Sequence, residues 1–145
     1  MSVGRICTRI TASASPDESV RAAARRMAEY AVGTLVVLKE DRGARAVGLI
    51  TDRDIAIRCV AEGLDPETVL VSKIMSTPVH SVSDDTPIEE ALSRMASVGT
   101  RRLVVISDGD RVAGIFTLDD VLDRTSREWT AIGRLLERQQ PNVLV

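Results

Sequence analysis

The chain has 145 residues, of which 44% are hydrophobic and 28% are charged, which suits one compact domain or two half-size units that share a core. A net charge of −2 and an aromatic content of 2% argue against bulk electrostatic binding to DNA or acidic lipid, and against base stacking on aromatic rings. Two cysteines without a CxxC pair, and a single histidine, argue against a disulfide scaffold and against a zinc site.

The first half of the chain predicts a β-α-β-β-α unit. A short strand at 9–13 precedes a helix at 19–31, where apolar residues recur at helical spacing. A buried, Val-rich strand at 35–38 leads through a Gly/Asp-rich turn to a second strand, which ends at Ile50. A helix is then expected to begin after Thr51.

The second half predicts the same unit, after a linker at 64–75 that contains a helical turn at 71–75. Its elements are a strand at 78–82, a helix at 87–98, a strand at 103–106, a strand ending at Phe116 and a helix after Thr117. The pattern from Thr86 to Glu89 is typical of a capping box, with Pro87 at the first helical position. The start of this helix is therefore well marked.

A duplication explains the recurrence. The segment VRAAARRMAEYAVGTLVVL at 20–38 lies over IEEALSRMASVGTRRLVVI at 88–106 with an offset of 68 residues. At Gly48 the offset falls to 66, because the loop before it is two residues longer than its counterpart. A hairpin tolerates a length change confined to its turn. The predicted fold class is therefore α/β (α+β), with two tandem β-α-β-β-α repeats related by a pseudo-twofold axis.

The residues after the second copy predict a helical tail. Trp129, Ile132, Leu135 and Leu136 recur at helical spacing. We expect the last helix to continue through them as an amphipathic tail and to fray after Pro141.

One motif stands at the same place in both copies, where an apolar strand ends and a helix begins. It has Gly, Thr and Asp at intervals of three residues, namely Gly48, Thr51 and Asp54 in the first copy and Gly114, Thr117 and Asp120 in the second. One interpretation is a helix cap, because Thr and Asp at this spacing form a capping box. The other is a nucleotide site, because free helix amides attract an anion while a carboxylate accepts hydrogen bonds from a sugar diol. The spacing is compatible with both.

The segments IMSTPVHSVSDDTPIEEALSRM and GTRRLVVISDGDRVAGIFTLDDVL closely resemble a cystathionine-β-synthase (CBS) domain, and MAEYAVGTLVVLKEDRGARAVGLITDRDIAIR resembles the repeat that precedes one. Two such repeats in tandem form a Bateman module, and the family usually binds adenosine derivatives, such as AMP, ADP, ATP or S-adenosylmethionine, between them. The implied organisation is a first CBS repeat at 6–63, a linker at 64–75, a second repeat at 74–124 and a C-terminal helical tail at 125–145.

The resemblance implies ligand contacts from the repeated motif in both copies. Asp54 and Asp120 would hold ribose hydroxyls. Thr51 and Thr117 would bind sugar or phosphate oxygens. No metal ligand and no catalytic residue is implied.

Basic residues distinguish the two copies. Arg101 and Arg102, just before the strand LVVI, stand where family members often place basic residues facing phosphate. Gly33 and Thr34 occupy these positions in the first copy, where Arg53 could substitute if it turned inward. The two clefts are therefore expected to differ.

The resemblance also implies an edge that reads adenine. It is the backbone of Thr77, Pro78 and Val79, and residues 8–11, which end at Thr11, are its counterpart in the first copy. The adjacent His80 either lines the cleft or is a half-buried strand residue. Sequence leaves open which repeat contributes to which cleft.

These residues predict an adenine-nucleotide-binding regulatory or sensor module that changes conformation or partner binding when the ligand is bound, with no required cofactor. No enzyme is expected, because the sequence has no nucleophile beside a general base, no P-loop and no Gly-x-Gly-x-x-Gly motif. The alternative is a module that dimerises and binds a partner protein without a ligand. In that case the Thr and Asp residues are only caps.

The expected partners are an adenine nucleotide, a second copy of the chain and an effector protein that is a separate chain. Family members commonly dimerise through helices that follow the strands, and the Ala-rich helix at 20–31 and the Leu/Ile face after Asp54 suit that contact. No membrane contact is expected, because no apolar run approaches about 18 residues. A cytoplasmic location is expected, because the N-terminus lacks an apolar signal region.

Overall fold

The computed structural model describes residues 1–10, 12–41 and 43–139, and it contains two β-sheets flanked by helices. The strands are β1 (Thr8–Arg9), β2 (Ser13–Ala14), β3 (Thr34–Glu40), β4 (Ala44–Thr51), β5 (Ser81–Ser83), β6 (Arg102–Ser107) and β7 (Arg111–Thr117). The helices are α1 (Val20–Tyr30), α2 (Asp52–Ile55), α3 (Val71–Ile74), α4 (Ile88–Val98) and α5 (Leu118–Gln139), and a π-helical turn (Ala56–Val60) extends α2. The predicted α+β fold with two tandem repeats is confirmed.

The leading segments, which are the stretches of chain before α1 and before α4, cross between the two sheets. The first sheet has the order β2-β3-β4 and the second has the order β1-β7-β6-β5. Strand β1 pairs antiparallel with β7 of the second repeat, and the chain then crosses to β2, which pairs parallel with β3 of the first. The opposite crossing follows the linker, where Ser76 bridges Leu49 of β4 before β5 pairs with β6. Each leading segment therefore touches both sheets.

The hydrophobic cores follow the same crossing. The first core joins the sheet residues Leu35, Val37 and Ile50 to Val20, Ala23 and Met27 of α1 and to Val69, Val71 and Ile74 of the linker. The second core joins Leu103, Val105 and Phe116 to Ala91 and Met95 of α4 and to Val3 and Cys7 of the N-terminus. Because the N-terminus completes the second core and the linker completes the first, neither repeat has a closed core of its own.

The starts of α1 and α4 differ in how they are capped. The Ser19 Oγ accepts a hydrogen bond of 3.1 Å from the backbone N–H of Ala22, so α1 has a side-chain cap. Helix α4 begins at Ile88, and Pro87 is its N-cap residue with no side-chain hydrogen bond. The predicted capping box at Thr86 and the predicted first helical position of Pro87 are therefore wrong. The reason is the ψ of 146° at Pro87, which is extended backbone and delays the helix by one residue.

Helix α5 runs without a break from the second motif to Gln139, so the tail does continue the last helix. Residues 140–145, with the predicted fraying after Pro141, lie outside the described residues. Among the helices of the described ranges, none combines the length and the apolar character that crossing a bilayer requires.

Candidate functional site

The first Thr-Asp motif closes a capping box at the start of α2. The Thr51 Oγ1 accepts a hydrogen bond of 3.1 Å from the Asp54 N–H, and the Asp54 Oδ2 accepts one of 2.9 Å from the Thr51 N–H. The other carboxylate oxygen, Oδ1, lies 3.8 Å from Nε of Arg58. The Arg58 Nη1 also donates to the carbonyls of Ile74 and Met75, at 3.0 and 3.4 Å. In this repeat the carboxylate therefore faces an arginine that is anchored to the linker.

The second motif forms the same box but has a different third partner. The Asp120 Oδ2 accepts hydrogen bonds from the N–H and the hydroxyl of Thr117, at 2.7 and 2.9 Å. The Asp120 Oδ1 accepts one of 3.1 Å from the hydroxyl of Thr8, which belongs to β1. Arg124 takes the place of Arg58 in the repeat, but it pairs with Glu128 at 2.6 Å. Here the carboxylate faces a neutral hydroxyl from the other repeat.

Both motifs therefore form helix caps, but each cap uses only part of the hydrogen-bonding capacity of its carboxylate. An ionised carboxylate offers about four acceptor positions on its two oxygens. The caps use Oδ2 in both Asp54 and Asp120. The difference between the sites lies at Oδ1, where Asp54 meets a cation and Asp120 meets a hydroxyl.

Strand register places the polar residues of the second site on one face of the sheet. Arg102 lies opposite Thr117, and Val104 lies opposite Ile115. Thr8 lies opposite Ile115 from the other side. Because directly opposed residues share a face, Arg102, Thr117 and Thr8 stand around an apolar floor of Val104 and Ile115.

The corresponding face of the first sheet lacks the arginine. Thr34 lies opposite Thr51, in the place of Arg102 opposite Thr117. Arg53, the predicted substitute, is exposed on α2. The first site therefore presents hydroxyl groups where the second presents a guanidinium group.

Arg101 and Gly33 hold the helix starts to the strands. The Arg101 carbonyl accepts a hydrogen bond of 3.2 Å from the Leu118 N–H, and the Gly33 carbonyl accepts one of 3.0 Å from the Asp52 N–H. The side chains of Arg101 and Arg102 are both exposed. The backbone of this position thus has the same structural role in both repeats, while the side chain differs.

The predicted adenine edge lies against the first repeat, although it precedes the second. Leu49 and Ser76 exchange two backbone hydrogen bonds, of 3.1 and 2.7 Å. Thr77 and Pro78 follow this contact directly and are exposed. In the equivalent segment, Thr8 and Arg9 pair with β7, and Thr11 lies outside the described residues. Each edge is therefore brought to the motif of the other repeat.

The end of this edge joins the second sheet. The His80 carbonyl accepts a hydrogen bond of 2.9 Å from the Val104 N–H. Val79 and His80 are both half-buried. His80 is thus a half-buried residue at the start of a strand, and any further role of its ring stays a prediction.

The glycines of the motif make room for the crossing segments. A Cβ on Gly48 would lie 2.6 Å from Sδ of Met75, and a Cβ on Gly114 would lie 2.4 Å from the carbonyl oxygen of Thr8. In the sequence these glycines mark only the motif, and their steric role depends on residues far away in the chain. The arginine that repeats at an offset of 66, namely Arg58 and Arg124, was a signal in the sequence for a further residue of the motif.

A hollow of 410 Å³ beside α5 shares Asp120 with the second site, and its other lining residues are Ile6, Asp123, Arg124, Arg127, Glu128 and Ala131. The sheet face that carries Arg102, Thr117 and Thr8 is not part of its lining. Within the described part of the chain, no cluster of three or more His, Cys, Asp or Glu side chains is placed to hold a metal ion.

The two surfaces expected to meet a second copy both retain exposed apolar residues. Val20, Ala23 and Met27 of α1 are buried in the first core, but Ala28 and Tyr30 of the same helix are exposed. Ile57 and Val60, after Asp54, are 51% and 65% exposed. The homodimer stays a prediction.

One protein-family model matches both repeats. The model described as CBS domain matches residues 3–60 and again residues 71–127. Together the two matches cover most of the chain, and each contains one Thr-Asp motif.

Curated relatives resemble the chain over most of its length. An uncharacterized protein of Methanopyrus kandleri is 35% identical over 122 residues, which are 84% of this chain and 61% of that protein. The CBS domain-containing protein YhcV of Bacillus subtilis is 35% identical over 120 residues, which are 83% of this chain and 82% of YhcV. The chain thus spans less than two thirds of the first relative and most of the second.

Solved structures share the arrangement of strands and helices. A CBS domain protein from Pyrobaculum aerophilum, complexed with AMP, has a TM-score of 0.69 and 26% identity, over 83% of this chain and 89% of that one. A hexameric CBS-CP12 protein from bloom-forming cyanobacteria has a TM-score of 0.75 and 27% identity, over 84% of this chain and 69% of that one.

Proposed function

The chain belongs to the CBS-domain family as a tandem pair, and on that premise we propose that it binds an adenine nucleotide at its second Thr-Asp motif and thereby regulates a partner. The ligand class follows from the chemistry of the site and from the relative that is complexed with AMP. AMP is the simplest molecule with the diol and the single anionic group that the site suits.

The hydrogen bond between Thr8 and Asp120 is the observation that carries the proposal. It joins a carboxylate of the second repeat to the leading segment of the first, at 3.1 Å. A ribose hydroxyl offers the carboxylate the same kind of donor as Thr8 does. It can therefore replace Thr8 without leaving the carboxylate unpaired, and an unpaired group would be costly. Binding a sugar at this point would then exchange a contact between repeats for a contact with the ligand.

Arg102 is the group that we expect to hold the phosphate. It shares a sheet face with Thr117 and Thr8, and its side chain is exposed. The N-terminus of α5 also attracts an anion, but Asp119 and Asp120 in its first turn weaken that attraction. A charge-assisted hydrogen bond from Arg102 is worth about 1.5–3 kcal/mol and would dominate.

The first motif is proposed to bind the nucleotide weakly or not at all. Arg58 already faces the free oxygen of Asp54, at 3.8 Å, and is itself anchored to the linker. Thr34 replaces the phosphate-binding arginine. We therefore expect one nucleotide per chain.

Regulation would follow from a shift between two arrangements of the repeats. Because the leading segments cross between the sheets, a ligand that competes with Thr8 for Asp120 favours the arrangement in which β1 has moved. An effector protein that distinguishes the two arrangements would sense the nucleotide. No chemical step on the ligand is part of this proposal.

Isothermal titration calorimetry of the full chain with adenosine, AMP, ADP, ATP and S-adenosylmethionine tests the proposal. At least one compound is expected to bind with a stoichiometry near one. Arg102→Ala is expected to weaken AMP binding by about 10-fold to 150-fold, the equivalent of 1.5–3 kcal/mol, and to leave adenosine binding nearly unchanged. Arg94→Ala, an exposed arginine on α4, is the charge-matched control and should change neither. Equal losses for AMP and adenosine would contradict the phosphate role of Arg102.

A second pair of variants separates the ligand role of the motif from its capping role. Asp54→Ala and Asp120→Ala each remove one capping box, so each should cost about 1 kcal/mol of stability. Only Asp120→Ala is expected to abolish nucleotide binding. Loss in both variants would place a ligand at both motifs. A wild-type chain that binds none of the compounds would favour the module that dimerises without a ligand.

A further inference from the structure

The last turns of α5 extend beyond the folded body. From residue 125 to residue 139 every residue except Gly133 is exposed. The family match ends at residue 127, so most of this tail lies outside the CBS repeat. Helices in proteins gain most of their stability by packing an apolar face. Within the described residues this tail has no such packing.

The tail carries an apolar stripe with a particular spacing. Leu122, Thr125, Trp129, Ile132 and Leu136 alternate at intervals of three and four residues. The four apolar members are 55%, 68%, 46% and 59% exposed, in chain order. Alternation of three and four is the a/d pattern of a coiled coil, in which each side chain fits between four side chains of another helix. The stripe therefore fits a helix as its partner.

The charges of α5 favour an antiparallel copy of the same helix. Asp119 lies in its first turn, while Arg134 and Arg138 lie in its last turns. An antiparallel pair places each acidic end beside the partner's basic end and opposes the two helix dipoles. It also puts the two folded bodies at opposite ends of the pair. A parallel pair would bring like charges together.

A lipid surface fits the same stripe less well. Amphipathic helices that lie on acidic membranes present a polar face rich in Lys and Arg. The polar side of this tail instead mixes signs, because Glu128 and Glu137 stand among its arginines. Arg124 and Arg127 are already paired along the helix, with Glu128 and Asp123 at 2.6 and 2.9 Å.

We infer that the tail of α5 pairs with the tail of a second copy of this chain as a short antiparallel coiled coil centred near Trp129. The pairing does not depend on nucleotide binding, because the stripe excludes the residues of the second Thr-Asp motif. It also uses a different surface from Ile57 and Val60, so the two contacts can be tested separately.

Sedimentation equilibrium and tryptophan fluorescence of the full chain test the pairing. Trp129 is the only tryptophan, so its emission reports on the stripe directly. At high protein concentration we expect an assembled species with a shorter emission wavelength, and dilution should lower the mass and move the emission to longer wavelength together. Ile132→Glu should halve the mass of the assembled species and give the long-wavelength emission at every concentration. Thr130→Glu introduces the same charge outside the stripe and should behave as wild type.

The outcomes distinguish a second copy from a lipid surface as the partner of the tail, and an antiparallel pair from a parallel one. If Ile132→Glu retains the mass and emission of the wild type, the pairing is overturned. It is also overturned if the wild-type emission shifts only when vesicles of anionic phospholipid are added.

Leu136→Cys tests the orientation of the pair under mild oxidation. The new thiol is the one expected to cross-link, because Cys7 and Cys59 are buried. An antiparallel pair holds the two new thiols far apart and should not cross-link, whereas rapid cross-linking would show a parallel pair and contradict the inference. Nucleotide titration of Ile132→Glu should match the wild type, so failure here and failure of nucleotide binding are distinguishable.

Discussion

Phe116→Ala is expected to lower the free energy of unfolding by about 3–5 kcal/mol. Phe116 is the largest fully buried side chain among the described residues. It shares the second core with Val3 of the N-terminus and Met95 of α4. Alanine would leave a cavity that the surroundings can close only in part, because β7 is fixed between β1 and β6.

Urea denaturation followed by circular dichroism measures this loss and also tests how the repeats are coupled. The N-terminus that completes the second core continues into β2 of the first sheet, and the linker that completes the first core continues into β5 of the second sheet, so both repeats should unfold in one transition. Tyr30→Ala is the control, since Tyr30 is 48% exposed and should cost far less. Phe116→Leu serves if the alanine variant does not fold. Two separate transitions, with only the second repeat destabilised, would contradict the interlocked cores.

The elements and their repetition could be predicted because their signals are local. The helices at 20–30 and 88–98 are marked by helical spacing of apolar residues, and β3 and β6 by short Val-rich runs. The two-residue difference between the hairpins was expected in the turn, but both turns span three residues, and the extra residues lengthen β3 and β4 by one residue each relative to β6 and β7. The capping geometry of both Thr-Asp motifs was likewise one of the two interpretations that the spacing allowed.

The crossing of the leading segments could not be predicted, because it depends on contacts between residues far apart in the chain. Thr8 and Asp120 are separated by 112 positions, and nothing in the sequence around Thr8 distinguishes an edge that joins β7 from one that joins β4. The roles of Arg58 and Arg124 could not be predicted from the sequence for a related reason. They occupy equivalent positions, yet one faces Asp54 and the other faces Glu128, so their difference arises from their neighbours.

Gly114→Ala is expected to cost about 1–3 kcal/mol and to displace β1 from β7. The added Cβ would lie 2.4 Å from the carbonyl oxygen of Thr8 and 3.0 Å from Sγ of Cys7, and the first of these atoms belongs to backbone that cannot simply rotate away. Movement of β1 would break the hydrogen bond from Thr8 to Asp120. The variant thus perturbs the inter-repeat contact at the proposed site without changing any residue that is proposed to bind the nucleotide.

Thiol reactivity reports this displacement independently of stability. Cys7 and Cys59 are both buried, and burial raises the pKa of the Cys7 thiol, which keeps it neutral and slow to react. In Gly114→Ala we expect Cys7 to react faster with an aromatic disulfide reagent, while Cys59, in the first core, stays protected. Gly133→Ala is the matched control: apart from its own stretch of helix, no described atom lies within 4 Å of the position its Cβ would take, and Ala should stabilise α5 by about 1 kcal/mol. If Gly114→Ala is as stable as the wild type and Cys7 remains unreactive, then β1 does not press on Gly114. The close crossing of the repeats, from which the proposed coupling between ligand and partner derives, would then be wrong.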